Sequence, residues 1–221
     1  MKKKFKQFLR FIFLEKLFVK KLFYNVLEGN LENSEAILEL GAGKDSYLNK
    51  IKNSFKITAV DIDESSLKTA REGHVYDYYI KGDVRKLSEI VKPKSFDAVV
   101  AFDLIEHLTK DDGRRLIENM CRVSRGKVII YTPNGFLPQP VYDNNPFQEH
   151  LSGWDFEEMK QLGFKVYGVN GYRKLRGCFA LPRIKPHVLG MFISNLSWLF
   201  LKITGQDELS FSILCIKEIS Q

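Results

Sequence analysis

Two glycines and an aspartate have the types and the spacing that suit a nucleotide site. Gly41 and Gly43 follow the apolar segment 36–40, and Asp61 ends a second apolar segment 20 residues after Gly41. A glycine lets a ligand approach the backbone closely, because it has no β-carbon. A carboxylate at the end of the next strand can accept the hydroxyl hydrogens of a ribose. The pattern predicts a strand, a glycine turn, a helix and a second strand around a bound nucleotide.

Two histidines are candidates for acid–base chemistry. His107 follows the fourth predicted strand, and His150 lies in the loop after the fifth. Each can act as a general base or contact a substrate group that must lose a proton. Each can instead hydrogen-bond the loop backbone as a neutral imidazole. Both interpretations stay open. The three cysteines form no Cys-x-x-Cys pair and no histidine stands at ligand spacing, so we expect no metal site and no disulfide framework.

The segments between residues 35 and 170 alternate between short β-branched runs and helical stretches. Strands are predicted at 36–40, 56–61, 77–81, 96–102, 126–132, 164–169 and 211–217, and helices near 45–53, 64–71, 84–91, 109–123 and 155–161. This alternation is typical of a mostly parallel sheet with helices on both faces. The long connection 170–209 is predicted to have a function, because long loops in compact domains are usually functional.

The positive charge of the chain is concentrated at one end. The net charge is +7, and residues 1–21 contain eight basic residues and one acidic residue, which accounts for all of it. A neutral remainder argues against a broad nucleic-acid-binding face. With 221 residues, 44% hydrophobic and 28% charged, the chain has the size and composition of one folded domain.

The two ends of the chain carry apolar segments of another kind. Residues 5–23 are predicted to form a basic amphipathic helix, which can lie on an anionic membrane surface or pack on the domain itself. Charged residues interrupt this segment, so we expect no secretory signal. The apolar run 188–203 is shorter than the ~20 residues of a spanning helix and is predicted to pack on the core or contact a membrane or lipid substrate. A cytoplasmic location, with a peripheral position on the inner membrane face, is expected.

The chain resembles the class I S-adenosylmethionine-dependent methyltransferases over residues 35–170 and the last strand. Five motifs occur in the order of that family: residues 38–43 (LELGAG), 60–63 (VDID), 82–84 (GDV), 96–108 (FDAVVAFDLIEHL) and 128–134 (VIIYTPN). The resemblance implies a three-layer α/β fold with a seven-stranded, mostly parallel sheet, in which the antiparallel last strand lies beside the fifth. It also implies S-adenosylmethionine as the cofactor.

The resemblance assigns roles to nine cofactor-binding residues. For the methionine portion of the cofactor, it implies that Glu39 orients the amino group and that the backbone at Gly41 and Gly43 lies close by. For the adenosine portion, it implies that Asp61 holds the ribose, that Ile62 packs on the adenine, and that Asp83 and the Val84 backbone meet the adenine edge. Phe102 and Asp103 are implied to lie near the reacting methyl group. Asp45 stands where the family commonly has a third glycine, and we interpret it as the start of a helix.

The sequence therefore predicts a methyltransferase acting on a small-molecule or lipid-linked acceptor by in-line displacement. We expect a helix at 1–30 and a domain at 31–221, with 170–209 as an acceptor lid. Two alternatives are a non-catalytic module that docks a membrane or protein partner and a nicotinamide-dependent oxidoreductase. The second is disfavoured, because a pyrophosphate loop prefers glycine or alanine where Ser46 stands. No nucleic-acid partner is expected, and the acceptor stays unidentified.

Overall fold

The computed structural model describes residues 23–51, 55–141 and 145–220. The predicted N-terminal helix 5–23 lies outside these residues except for Phe23.

The described residues form a seven-stranded sheet of order β3-β2-β1-β4-β5-β7-β6. The strands are β1 (Ala36–Leu40), β2 (Lys56–Asp61), β3 (Tyr78–Lys81), β4 (Phe96–Phe102), β5 (Ser124–Pro133), β6 (Lys165–Tyr172) and β7 (Ser210–Glu218). Strands β1 to β5 pair in parallel, whereas β7 is antiparallel to both β5 and β6. The predicted fold class and the position of the last strand beside the fifth are confirmed.

Helices cover both faces of the sheet. They are α1 (23–31), α2 (Glu64–Glu72), α3 (Leu87–Ile90), α4 (Lys110–Val123), α5 (Phe156–Gln161) and α6 (His187–Thr204). Neighbouring residues of β1 enter different cores, Ile37 on one face and Leu38 on the other. A strand buried on both sides reads as a continuous apolar run, which explains the unbroken hydrophobic segments of the sequence.

Two predicted helices are shorter than expected. The described part of the segment 45–53, residues 45–51, contains only a 3-10 turn, Tyr47–Lys50, and its cap is Ser46 rather than Asp45. The Ser46 hydroxyl accepts a hydrogen bond from Leu48 N, whereas the Asp45 carboxylate accepts from Ser46 N. The segment 84–91 begins with a 3-10 turn and is α-helical only from Leu87 to Ile90.

Helix α6 packs one face on β6 and leaves another exposed. Its buried residues include Ser194, Trp198 and Leu201, and the Trp198 indole N–H donates to Gly168 O of β6 at 2.7 Å. Phe200 and Ile203 on the other face are 61% and 76% exposed. Among the described helices, α6 is long enough and apolar enough to cross a membrane. Core helices of soluble proteins can have the same length and composition.

Candidate active site

A cavity of about 320 Å³ lies at the carboxyl ends of β1, β2 and β4. Strands β1 and β4 are neighbours in the sheet although β2 and β3 follow β1 in the chain, so the strand order reverses here. Ligands of open parallel sheets bind at such a point. The lining residues are Gly41, Gly43, Asp61, Ile62, Asp63, Ser66, Asp83, Val84, Arg85, Asp103, Leu104, His107, Leu108, Asn145, Pro146, Phe147, Gln148 and Leu151.

A larger and more open cleft of about 620 Å³ lies at the amino ends of β1, β4 and β5, lined among others by Asn30, Lys94 and Asp97. It contains none of the glycines with left-handed backbone conformations that characterise the first cavity. The chemistry predicted from the sequence is therefore gathered at the smaller cavity.

The glycine turn and Asp61 form one hydrogen-bonded unit. Gly41 and Gly43 have φ angles of +62° and +61°, a conformation that glycine adopts without strain. The Asp61 carboxylate accepts from Gly43 N and from Asp63 N, both at 2.8 Å. Each carboxylate oxygen keeps a second lone pair. Asp61 therefore holds the glycine turn in place and can still accept hydrogen bonds from a ribose.

Tyr76 supports the same turn from the core. Its buried hydroxyl donates to Ala42 O and lies 3.1 Å from Asp45 O. The sequence places Tyr76 in an aromatic run of the sheet and carries no signal for this contact, because 34 residues separate Tyr76 from Ala42.

Asp83 lies in the cavity but is engaged by a neighbour. Its carboxylate accepts from Arg85 N and forms an ion pair with the Arg85 guanidinium at 2.6 Å. The hydrogen bonds from the Arg85 side chain hold the pKa of Asp83 below its ordinary value. An adenine amino group that bonds Asp83 must therefore share this carboxylate with Arg85, which also lines the cavity.

Asp103 occupies a strained position at the end of β4. Its φ angle is +47°, its backbone N–H donates to Tyr131 O at 2.8 Å, and its carboxylate accepts from the Tyr47 hydroxyl at 3.1 Å. Non-glycine residues in this conformation cluster at functional sites. Solvent reaches Asp103, but the surrounding protein atoms raise the pKa of its carboxyl to about 6 through desolvation.

Two predicted cofactor residues do not line the cavity. Glu39 is 3% exposed and accepts a hydrogen bond of 2.5 Å from the Ser46 hydroxyl, and burial raises the pKa of its carboxyl to about 8. Phe102 is also buried, with its ring centroid 5.3 Å from that of Tyr47. In this structure both residues support the cavity wall from behind rather than facing a ligand.

The two candidate histidines lie against each other. Their ring centroids are 4.8 Å apart, and only His107 lines the cavity. His107 Nδ1 pairs with Glu149 O at 3.0 Å, and His150 Nδ1 pairs with Leu137 O at 2.7 Å. Because a carbonyl only accepts, Nδ1 carries the proton in each ring and Nε2 keeps its lone pair. Burial lowers the pKa of both histidines, which favours the neutral form.

The cavity fits an adenosyl sulfonium compound. Four aspartates and one arginine line it, so the charge of the lining is complementary to a ligand with a sulfonium and an ammonium group. A β-carbon added at Gly43 would meet no atom within 4 Å, which leaves open space beside the turn. Ile62, Val84 and Leu104 supply an apolar surface for a base.

Residues 38–131 match the family model of the methyltransferase domain. This match identifies a class I methyltransferase domain within the chain. The methyltransferase uses S-adenosylmethionine as its cofactor, and the residues of the cavity described above would hold it.

Solved structures support the same fold for the methyltransferase. A SAM-dependent methyltransferase from Archaeoglobus fulgidus is 18% identical with a TM-score of 0.57, covering 92% of this chain and 94% of that one. The plantazolicin methyltransferase BpumL, solved in complex with SAH, is 13% identical with a TM-score of 0.54, covering 95% and 85%. No curated protein sequence matches this chain significantly.

Proposed function

We propose that this methyltransferase methylates a small-molecule or lipid-linked acceptor bound between α1, α6 and the end of β5. The observation that carries the proposal is a second cavity of about 260 Å³ on the far side of Tyr47, the residue whose hydroxyl bonds Asp103 of the cofactor cavity. Its lining consists of Phe23, Tyr24, Tyr47, Lys50, Tyr131, Val169, Asn170 and Trp198. Aromatic side chains dominate this list, and such surfaces favour apolar or aromatic acceptor groups.

The chain contributes alignment rather than covalent chemistry to the reaction. Bound S-adenosylmethionine supplies a methyl group that is already activated on a sulfonium. Asp61 and the glycine turn orient the nucleoside half, and Asp103 and Tyr47 lie between the two cavities. His107 and His150 lie on the cofactor side and are the candidates for contact with the end of the acceptor that reaches the methyl group. Positioning of this kind can lower a barrier substantially, because the reacting atoms are held in line.

A methyl-incorporation assay tests the acceptor proposal. Purified protein and labelled S-adenosylmethionine are incubated with soluble and membrane extracts, and label is followed into small molecules and lipids. Tyr24→Ala, on α1, should reduce incorporation by about 3- to 10-fold while affinity for S-adenosylhomocysteine is unchanged, since it removes aromatic contacts from the acceptor side only. Incorporation into protein or nucleic acid alone would contradict the proposal, and so would incorporation that Tyr24→Ala leaves unchanged.

We also propose that the protein is cytoplasmic and binds the inner face of an anionic membrane through residues 5–23 and the exposed face of α6. Residues 163–206 contain seven basic residues and no acidic one, and Phe200 and Ile203 are exposed within this segment. Apolar side chains beside a basic surface suit an interface with anionic head groups.

Vesicle sedimentation tests the membrane proposal. Binding to vesicles with anionic lipid and not to neutral vesicles is expected, with a loss on deletion of residues 1–22 or on the double change Phe200→Ser and Ile203→Ser. Tyr78→Ser is the matched control, because Tyr78 is 59% exposed on β3, at the sheet edge opposite to β6. Equal binding by all variants would contradict the proposal.

A further inference from the structure

A buried glutamate lies beside the two histidines of the site. One carboxylate oxygen of Glu106 and one ring nitrogen each of His107 and His150 lie within 4.8 Å of one another. Glu106 is 2% exposed, and its carboxylate accepts a hydrogen bond of 2.9 Å from the Thr132 hydroxyl. No ion pair reaches Glu106 among residues 23–51, 55–141 and 145–220. A buried carboxylate without a cationic partner is costly unless a cation or proton compensates it.

The backbone fixes the tautomer of both rings. Each histidine directs Nδ1 at a carbonyl oxygen, of Glu149 and of Leu137 respectively, and keeps Nε2 available. Metal-binding histidines commonly donate their other N–H to a carbonyl in this way, which fixes the tautomer and the ring orientation. Two imidazoles and one carboxylate are the donor set of divalent transition metals such as Zn²⁺ and Mn²⁺ with an open coordination position.

We propose that Glu106, His107 and His150 bind one divalent transition-metal ion at the edge of the cofactor cavity, with a hydroxyl oxygen of the methyl acceptor as a further ligand. Tetrahedral ligands at ~2.1 Å from a shared ion are about 3.4 Å apart, so the most widely separated pair must close by roughly 1.4 Å. The acceptor ligand rests on the proposed function, whereas the ion site does not.

The location gives the ion a chemical role. His107 lines the same cavity as Asp103, near which the methyl group is expected. A coordinated hydroxyl loses its proton to water more readily, because the cation stabilises the oxyanion. The oxygen lone pair then forms the bond to the methyl carbon while the carbon–sulfur bond breaks and its electron pair stays on sulfur. The acceptor class is therefore a hydroxyl compound.

Titration with Mn²⁺ tests the site without an acceptor. The full chain is freed of metal with a chelator and titrated with MnCl₂, and free Mn²⁺ is measured by its electron paramagnetic resonance signal, with ZnCl₂ as a competitor. One saturable ion per chain is expected. Glu106→Gln, which keeps the shape and an acceptor for Thr132, and His150→Ala should each weaken binding by at least about 100-fold. His187→Ala is the matched control, because His187 is exposed at the start of α6.

Two further readouts separate the possible results. Mn²⁺ should raise the melting temperature of the wild type and of His187→Ala, but not that of the ligand variants. Affinity for S-adenosylhomocysteine, measured on the same samples, reports the proposed function independently, and we expect Glu106→Gln and His150→Ala to retain it. The ion site is refuted by a wild type that binds no Mn²⁺ or Zn²⁺ saturably, or by unchanged binding in whichever ligand variant folds.

Discussion

Replacing Asp61 by asparagine is the sharpest test of the cofactor site. The carboxylate accepts from Gly43 N and Asp63 N, and its remaining lone pairs are available to the ribose hydroxyls. An asparagine of the same shape keeps one acceptor oxygen and turns an N–H donor toward one of these two backbone N–H groups. The change removes a hydrogen bond to a charged acceptor, at about 1.5–3 kcal/mol, and misplaces part of the glycine turn. A total of about 2–4 kcal/mol corresponds to roughly 30- to 700-fold weaker binding.

Calorimetric titration with S-adenosylhomocysteine measures this loss. Asp97→Asn is the matched control. The Asp97 carboxylate also accepts from two backbone N–H groups, those of Glu35 and Ala36, but it lies at the amino ends of the strands, away from the cofactor cavity. Both variants should be less stable than the wild type, and only Asp61→Asn should lose affinity. If a folded Asp61→Asn binds within about threefold of the wild type, Asp61 does not hold the ribose and the reasoning fails.

Three further predictions concern pH and the glycine turn. Burial raises the pKa of Glu39 to about 8. Its contribution to the free energy of unfolding is therefore complete below about pH 4.5 and is lost as the pH rises toward 8. Glu39→Gln should flatten this fall in unfolding free energy, measured by urea denaturation, by up to about 1.4 kcal/mol per pH unit. Asp103 has a pKa of about 6, so cofactor affinity should fall below this pH. The Tyr47 hydroxyl lowers this pKa, so Tyr47→Phe should move the midpoint of the affinity–pH curve upward. A midpoint that stays in place would contradict this. Gly41 and Gly43 both have a left-handed φ, but only at Gly41 would an added β-carbon lie 2.5 Å from a leucine side chain. Thermal denaturation should therefore show a larger loss of stability for Gly41→Ala than for Gly43→Ala.

The fold was predictable from the sequence, and so was the position of Gly41, Gly43 and Asp61 at one cavity, because their signals are local. The spacing between Gly41 and Asp61 is set by β1, the glycine turn and β2, whatever the rest of the chain does. Strand positions were predicted to within a few residues because buried parallel strands appear as continuous apolar runs. The weakest prediction was the helix at 45–53, where Ser46 caps a single 3-10 turn, Tyr47–Lys50.

The acceptor half of the site depends on contacts between residues far apart in the chain. His107 and Glu106 reach His150 only because the loop after β5 returns to the end of β4, where Leu151 N donates to Glu106 O. The sequence, searched for ligands at short spacing, predicted no metal site, since no local pattern records that approach.

What the sequence by itself determined is the fold class, since it follows from periodicity and spacing along a few adjacent elements. The residues that would meet the nucleoside stay a prediction. Tertiary structure decided which of those residues face the cavity. Glu39 and Phe102 stand at the ends of their strands as predicted, yet Ser46 and Tyr47 cover them. Burial is a property of the packed elements together, so no single segment specifies it.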